Sequence, residues 1–151
     1  AAYAETTLHE SGRPTMIVPA GTRTCRLERC AVAWDGSATA ARAVNDAIPL
    51  LAAFDAVELV CVRHATQLRD QLPGFEMTQH LVRHGIDAVL HEVPVRRDDT
   101  IETLLSYLGK ACFDLVVMGA YSRTWVQERL FGGATRSLLA SHPTTLFLSH
   151  S

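Results

Sequence analysis

The sequence predicts an α/β domain: a doubly wound, five-stranded parallel sheet in the order 3-2-1-4-5, with helices on both faces and an extra strand at the N-terminus. Three observations lead there. Segments of strand length, such as LVVM (115–118) and TLFL (145–148), are almost wholly apolar, which is the pattern of strands buried on both faces in a parallel sheet. They alternate with segments whose apolar residues recur at helical spacing. The chain has 151 residues, 48% of them hydrophobic, which suits one well-filled core and not two domains.

From residue 29 the alternation is regular. RCAVAW (29–34) is the first strand of the domain, and Asp35-Gly36-Ser37 closes it with a loop that offers an N-cap. An Ala-rich helix follows from Ala38 to Phe54, with Ala40, Ala41, Val44, Ala47, Ile48 and Leu51 on one face. Pro49 removes one backbone donor from that helix and is expected to bend it. AVELVCVRH (56–64) is the second strand, and a polar loop with Pro73-Gly74 leads into a helix from Phe75 to His84 that Gly85 ends. AVLHEV (88–93) is the third strand. In the next helix Asp99 and Glu102 make a capping box, and Ile101, Leu104, Leu105 and Leu108 form the buried face. LVVM is the fourth strand, Ala134 to Ser141 the fourth helix and TLFL the fifth strand.

The first 28 residues lie outside this count. LHESGRPTMIVP (8–19) follows the same plan as LLASHPTTLFLS (138–149): a helix-like end, a turn, a proline, then a short β run. Pro14 and Pro143 are separated by about one domain length, so the segment reads as the closing strand of a preceding copy of the fold. An unrelated extra edge strand is the alternative. An opening Ala-Ala without an initiator methionine is expected of a fragment or a processed product.

A formal net charge of -2 gives no general attraction to nucleic acid, so any anion site must be local. The apolar runs are too short for a bilayer, and no charged-then-apolar leader opens the chain, so no membrane partner is expected. The cysteines at 25, 30, 61 and 112 show no CxxC spacing and read as reduced, packed thiols of a cytoplasmic protein.

The chemistry concentrates in MGAYSRTWVQERLFGGATRS (118–137). A phosphate site needs several converging N–H groups, which glycine permits and a helix N-terminus reinforces. Gly119 ends the fourth strand, Gly132 and Gly133 precede the fourth helix, and Arg123, Arg129 and Arg136 outnumber Glu128 between them. Asp35 ends the neighbouring first strand, where an aspartate accepts from a ribose hydroxyl or helps to hold Mg²⁺ near phosphates.

Residues 29–150 resemble a universal stress protein domain. That family's nucleotide motif is glycine, two residues, glycine, nine residues, glycine, then Ser or Thr. Here the same spacing reads Gly119, Ala120, Tyr121, Ser122, nine residues, Gly132, Gly133. AVAWDGS resembles the family's first strand with its aspartate, and LASHPTTLFLSH its last helix and strand. Two positions depart: Ser122 replaces the second glycine and Gly133 the hydroxyl residue. A serine forced to φ > 0 costs roughly 1 kcal/mol or more; Thr135 lies close enough in sequence to return a hydroxyl.

The resemblance implies a stress-response regulatory domain that binds an adenine nucleotide, ATP with or without Mg²⁺. It implies that Gly119, Ser122, Gly132 and Gly133 hold phosphates, and that Met118, Tyr121, Ala134 and Thr135 belong to the same set. Asp35 and the backbone of Ala33 and Trp34 would hold ribose and base, with Val62 closing the adenine slot. It also implies pairing through the last strand, as a homodimer or with an upstream repeat. The alternative function is an interaction module of the same fold that pairs through that apolar edge and binds no nucleotide.

Other constellations are weaker. His80 and His84 stand at i, i+4, the spacing that lets two imidazoles share a metal ion, but without HExxH they read as solvated helix residues. His64 ends the second strand and lines either the pocket or a polar loop. No nucleophile elbow, Walker lysine or paired loop carboxylates appear, and no dedicated catalyst is expected. Trp34 reads as packed against helices, and Trp125 as a lid or a partner contact.

Overall fold

The structure is a computed structural model that describes residue 7 and residues 10–66, 74–120 and 144–149. One sheet of six strands organises it: β1 (Thr15–Ile17), β2 (Arg29–Ala33), β3 (Ala56–Arg63), β4 (Ala88–Pro94), β5 (Leu115–Gly119) and β6 (Thr145–Ser149), in the order β1-β6-β5-β2-β3-β4. The five strands from β2 to β6 run parallel and keep the expected 3-2-1-4-5 order among themselves. The extra strand joins them and makes the sheet six-stranded: β1 runs antiparallel along β6, with Thr15 opposite Leu148 and Ile17 opposite Leu146.

Both faces of the sheet are covered, as apolar strands require. Helices α1 (Ala38–Leu51) and α2 (Gly74–Arg83) share one core with Cys30, Val32, Leu59, Cys61, Val117 and Phe147. Helix α3 (Thr100–Ala111) shares the other with Ala31, Ala33, Val60, Val116, Met118 and Leu148. Alternation along each strand divides its residues between the two cores, so β5 and β6 are buried at every position.

The N-cap residues are those the sequence names, although the Asp99 N–H of the expected capping box donates to the Arg96 carbonyl at 3.0 Å. Ser37 Oγ accepts from the Ala40 N–H at 3.1 Å to begin α1, and Asp99 Oδ1 accepts from the Glu102 N–H at 3.0 Å to begin α3. Helix α1 ends at Leu51, short of Phe54, because the next N–H groups tighten onto carbonyls three residues back, Ala53 to Leu50 and Phe54 to Leu51. Its buried face also shifts: Ala43 is in the core, while Ala41 and Ile48 lie at its margin. The predicted fourth helix, Ala134–Ser141, falls outside the described residues.

The thiols divide in two. Cys30 and Cys61 are packed as expected, whereas Cys25 and Cys112 are exposed, and all four are free. Cys112 sits among apolar neighbours in sequence, but it caps α3 in the left-handed region at φ 55. The chain reverses there, and Phe113 (1% exposed) takes the core position instead.

Candidate functional site

The strand order reverses between β2 and β5, whose carboxyl ends lie side by side. The chain leaves β2 through Trp34, whose N–H donates to the Val60 carbonyl at 2.9 Å and extends the ladder by one residue. Asp35 follows, half-buried, with Oδ1 accepting from the Ser37 N–H at 2.9 Å. This aspartate turn fixes the carboxylate beside its own backbone and sets Ser37 to cap α1. The Ser37 and Thr39 hydroxyls are 3.0 Å apart in the first turn of the helix.

Helix α1 then crosses directly over the end of β5. A Cβ added at Gly119 would lie 2.7 Å from the Ala40 nitrogen and from the Thr39 carbonyl carbon, and 2.9 Å from the Thr39 oxygen. These are backbone atoms that no rotamer change removes. Glycine at 119 therefore has a packing reason of its own, the close approach of α1 to the sheet. Beyond it, the Ala120 N–H donates to the Ser149 carbonyl at 2.8 Å, and the Ser149 hydroxyl, itself buried, donates to Asp46 Oδ2 of α1 at 2.6 Å. The ends of β5, β6 and the body of α1 are thus pinned together beneath the crevice. Sequence reading missed Ser149 and Asp46; a polar residue closing an all-apolar strand was the available signal.

The predicted site residues separate into three groups. Asp35 follows the end of β2 and Gly119 ends the neighbouring β5, so both lie at the switch point, with Ala33 and Trp34 at the end of β2. The side chains of Ala33, Trp34 and Met118 point into the cores, so Trp34 has the packed role and offers the crevice only its backbone. Val62 is half-buried at the margin of the α3 core. Tyr121, Ser122, Gly132, Gly133, Ala134 and Thr135, together with Trp125, lie outside the described residues.

Asp35 acts beyond its own turn. Cys61, on the neighbouring strand, has its thiol pushed up to about 12, first by burial, then by the charges of Glu92 and Asp35. His64, at the end of β3, does not stand open to the crevice. Its Nε2 is 2.9 Å from Thr100 Oγ1 and its Nδ1 3.7 Å from Asp98 Oδ1, so it ties β3 to the start of α3. Among the described residues no group of three His, Cys, Asp or Glu side chains gathers to hold a metal. Nor is any described helix long and apolar enough to cross a membrane.

A crevice at a topological switch point, an aspartate ending the strand on one side and a glycine the strand on the other, belongs to a recognisable architecture. The fold is that of the universal stress proteins. A universal stress protein from Archaeoglobus fulgidus superposes with a TM-score of 0.68 at 20% identity, matching 97% of this chain and 53% of its own. The present chain therefore spans about half the length of that protein. UspA from Lactobacillus plantarum gives a TM-score of 0.58 at 14% identity over 83% of this chain and 99% of its own. A universal stress protein crystallised in complex with cAMP gives 0.53 at 18% identity over 82% and 97%. No family model matched the sequence. No curated protein matched it either.

Proposed function

We propose that this chain is a regulatory domain of universal-stress-protein type that binds an adenine nucleotide, ATP with or without Mg²⁺, in the crevice between the ends of β2 and β5. One observation carries the reading: Gly119, at the end of β5, is pressed against the first turn of α1, the helix that the Asp35 turn at the end of β2 leads into. A phosphate chain on the segment that leaves Gly119 would meet the amino end of α1 and its N–H dipoles. A ribose would meet the Asp35 carboxylate. The cAMP complex of a protein with the same fold supports the ligand class. By resemblance to the family's nucleotide motif, Gly119, Ser122, Gly132 and Gly133 would hold the phosphates, with Thr135 supplying a hydroxyl.

Calorimetric titration of ATP with Mg²⁺ into the purified, nucleotide-free chain tests this. Micromolar binding that disappears in Gly132→Val is the expected result, because a branched side chain closes the approach of backbone to phosphate. A folded protein that takes up no nucleotide overturns the reading.

A second reading, a pairing module, rests on the covered edge of β6. Leu146, Phe147 and Leu148 already carry β1 of the same chain as an antiparallel partner. In this reading β1 stands where the last strand of an upstream repeat or of a second copy would lie, and the domain works through that seam.

A further inference from the structure

His80 lies in the last turn of α2 and His84 directly follows it. Their rings stand 4.8 Å apart, centroid to centroid, at an interplanar angle of 66°. On a solvated helix face two such imidazoles sample many rotamers, but here the His80 ring has a fixed partner and the His84 backbone a fixed turn. His80 Nε2 is 3.0 Å from Asn45 Oδ1 on α1. With the Asn45 amide oxygen facing it, Nε2 donates in the tautomer that leaves the lone pair on Nδ1. An imidazole that donates one N–H to an oxygen and keeps the other nitrogen bare has the second-shell arrangement of metal-binding histidines.

His84 is held by its backbone. The Gly85 N–H donates to the Val82 carbonyl at 2.9 Å and the Ile86 N–H to the Leu81 carbonyl at 3.0 Å. That is the paired closing pattern of a Schellman turn, and Gly85 at φ 76 supplies its left-handed residue. Leu81 and Ile86 are both buried beneath it. The turn sits at the carboxyl end of α2, where the helix dipole favours a cation.

We propose that His80 and His84 form a two-imidazole site for a divalent late transition-metal ion, with Asn45 orienting the first ligand and water completing the coordination. Nitrogen donors of this kind select ions of the nickel, copper and zinc group over Mg²⁺ or Ca²⁺. The bound ion would lock α2 to α1 through the bond from His80 to Asn45.

The test is a calorimetric titration of Ni²⁺ into the whole chain at about pH 7.5. Cys25→Ser and Cys112→Ser are introduced first so that exposed thiols do not compete. One Ni²⁺ per chain is expected, with affinity falling about tenfold or more in His80→Gln and in His84→Gln. Asn45→Ala leaves both ligands in place and is expected to weaken binding by about tenfold. Absence of Ni²⁺ binding, or binding that survives in the double His80→Gln/His84→Gln chain, overturns the site. Full affinity in Asn45→Ala also overturns it, since an incidental helical pair needs no oriented ring.

Discussion

Burial sets the reactivity of each cysteine more firmly than its sequence neighbours do. Cys30 and Cys61 are in the core, and both thiols are shifted upward, in each case first by burial and then by nearby carboxylates: Asp114 for Cys30, Glu92 and Asp35 for Cys61. Only the thiolate is a nucleophile. A disulfide-exchange reagent at about pH 8 should therefore modify Cys25 and Cys112 quickly, and the other two only as fast as the protein unfolds. Counting released chromophore against time checks this; four fast thiols would refute it. The same shifts predict alkaline lability. Both folded pKa values lie above the unfolded value of about 8.5, so the contribution to stability is complete below that pH. It is lost as pH rises, through about 12 for Cys61. The urea midpoint should fall across that window, and less so in a Cys30→Ala/Cys61→Ala chain compared with its own neutral value.

The contact that shapes the candidate site joins two elements, α1 and the end of β5. At Gly119→Ala the added carbon would need α1 to move off the sheet, because the atoms it meets, Ala40 nitrogen and Thr39 carbonyl, are backbone. Overpacking of this kind costs about 1–3 kcal/mol, readable as a lower urea midpoint with an unchanged slope; an unchanged midpoint would refute the contact. Most elements could be read in the sequence, since apolar runs, caps and the glycine stop each act over a few residues. Ser37, Asp99 and Gly85 end or begin helices where the sequence puts them. What joins distant positions could not be read. The Arg29 guanidinium lies 4.6 Å from the Phe113 ring centre, donates to the Ala111 carbonyl at the end of α3, and pairs with Glu58 at 3.6 Å. Glu58 in turn accepts from the Tyr107 hydroxyl, and Tyr107 stacks on His91 at 4.8 Å. Burial and then the Glu58 hydrogen bond raise the Tyr107 pKa well above the usual phenol range. No periodicity encodes that network. The site was half legible for the same reason: Asp35 and Gly119 announce a crevice, whereas the inward packing of Trp34 and Met118 depends on the assembled cores.

At the scale of the whole molecule the open question is what covers β6. Its side chains are buried throughout, and an apolar strand left at the edge of a sheet recruits another chain. In this structure β1 covers it with three residues, a short seam for a strand. Met16 and Val18 remain about half exposed, at 47% and 54%, so the seam itself presents apolar surface outward. Residues 18–28 connect β1 to β2 without a strand or helix, so among the described residues β1 is fastened by its pairs with β6 and by Ile17 at the margin of the α3 core. Removing residues 1–20 should therefore leave the parallel core folded while uncovering Leu146, Phe147 and Leu148. Sedimentation velocity is expected to show association that grows with concentration in the shortened chain and is absent from, or much weaker in, the intact one. A synthetic peptide carrying residues 13–20 should restore the intact behaviour by re-forming the antiparallel pairs. If the shortened chain stays monomeric, β6 needs no cover, and the pairing reading fails with it. If it associates and the peptide reverses it, the edge of β6 is an assembly surface that β1 occupies in this chain.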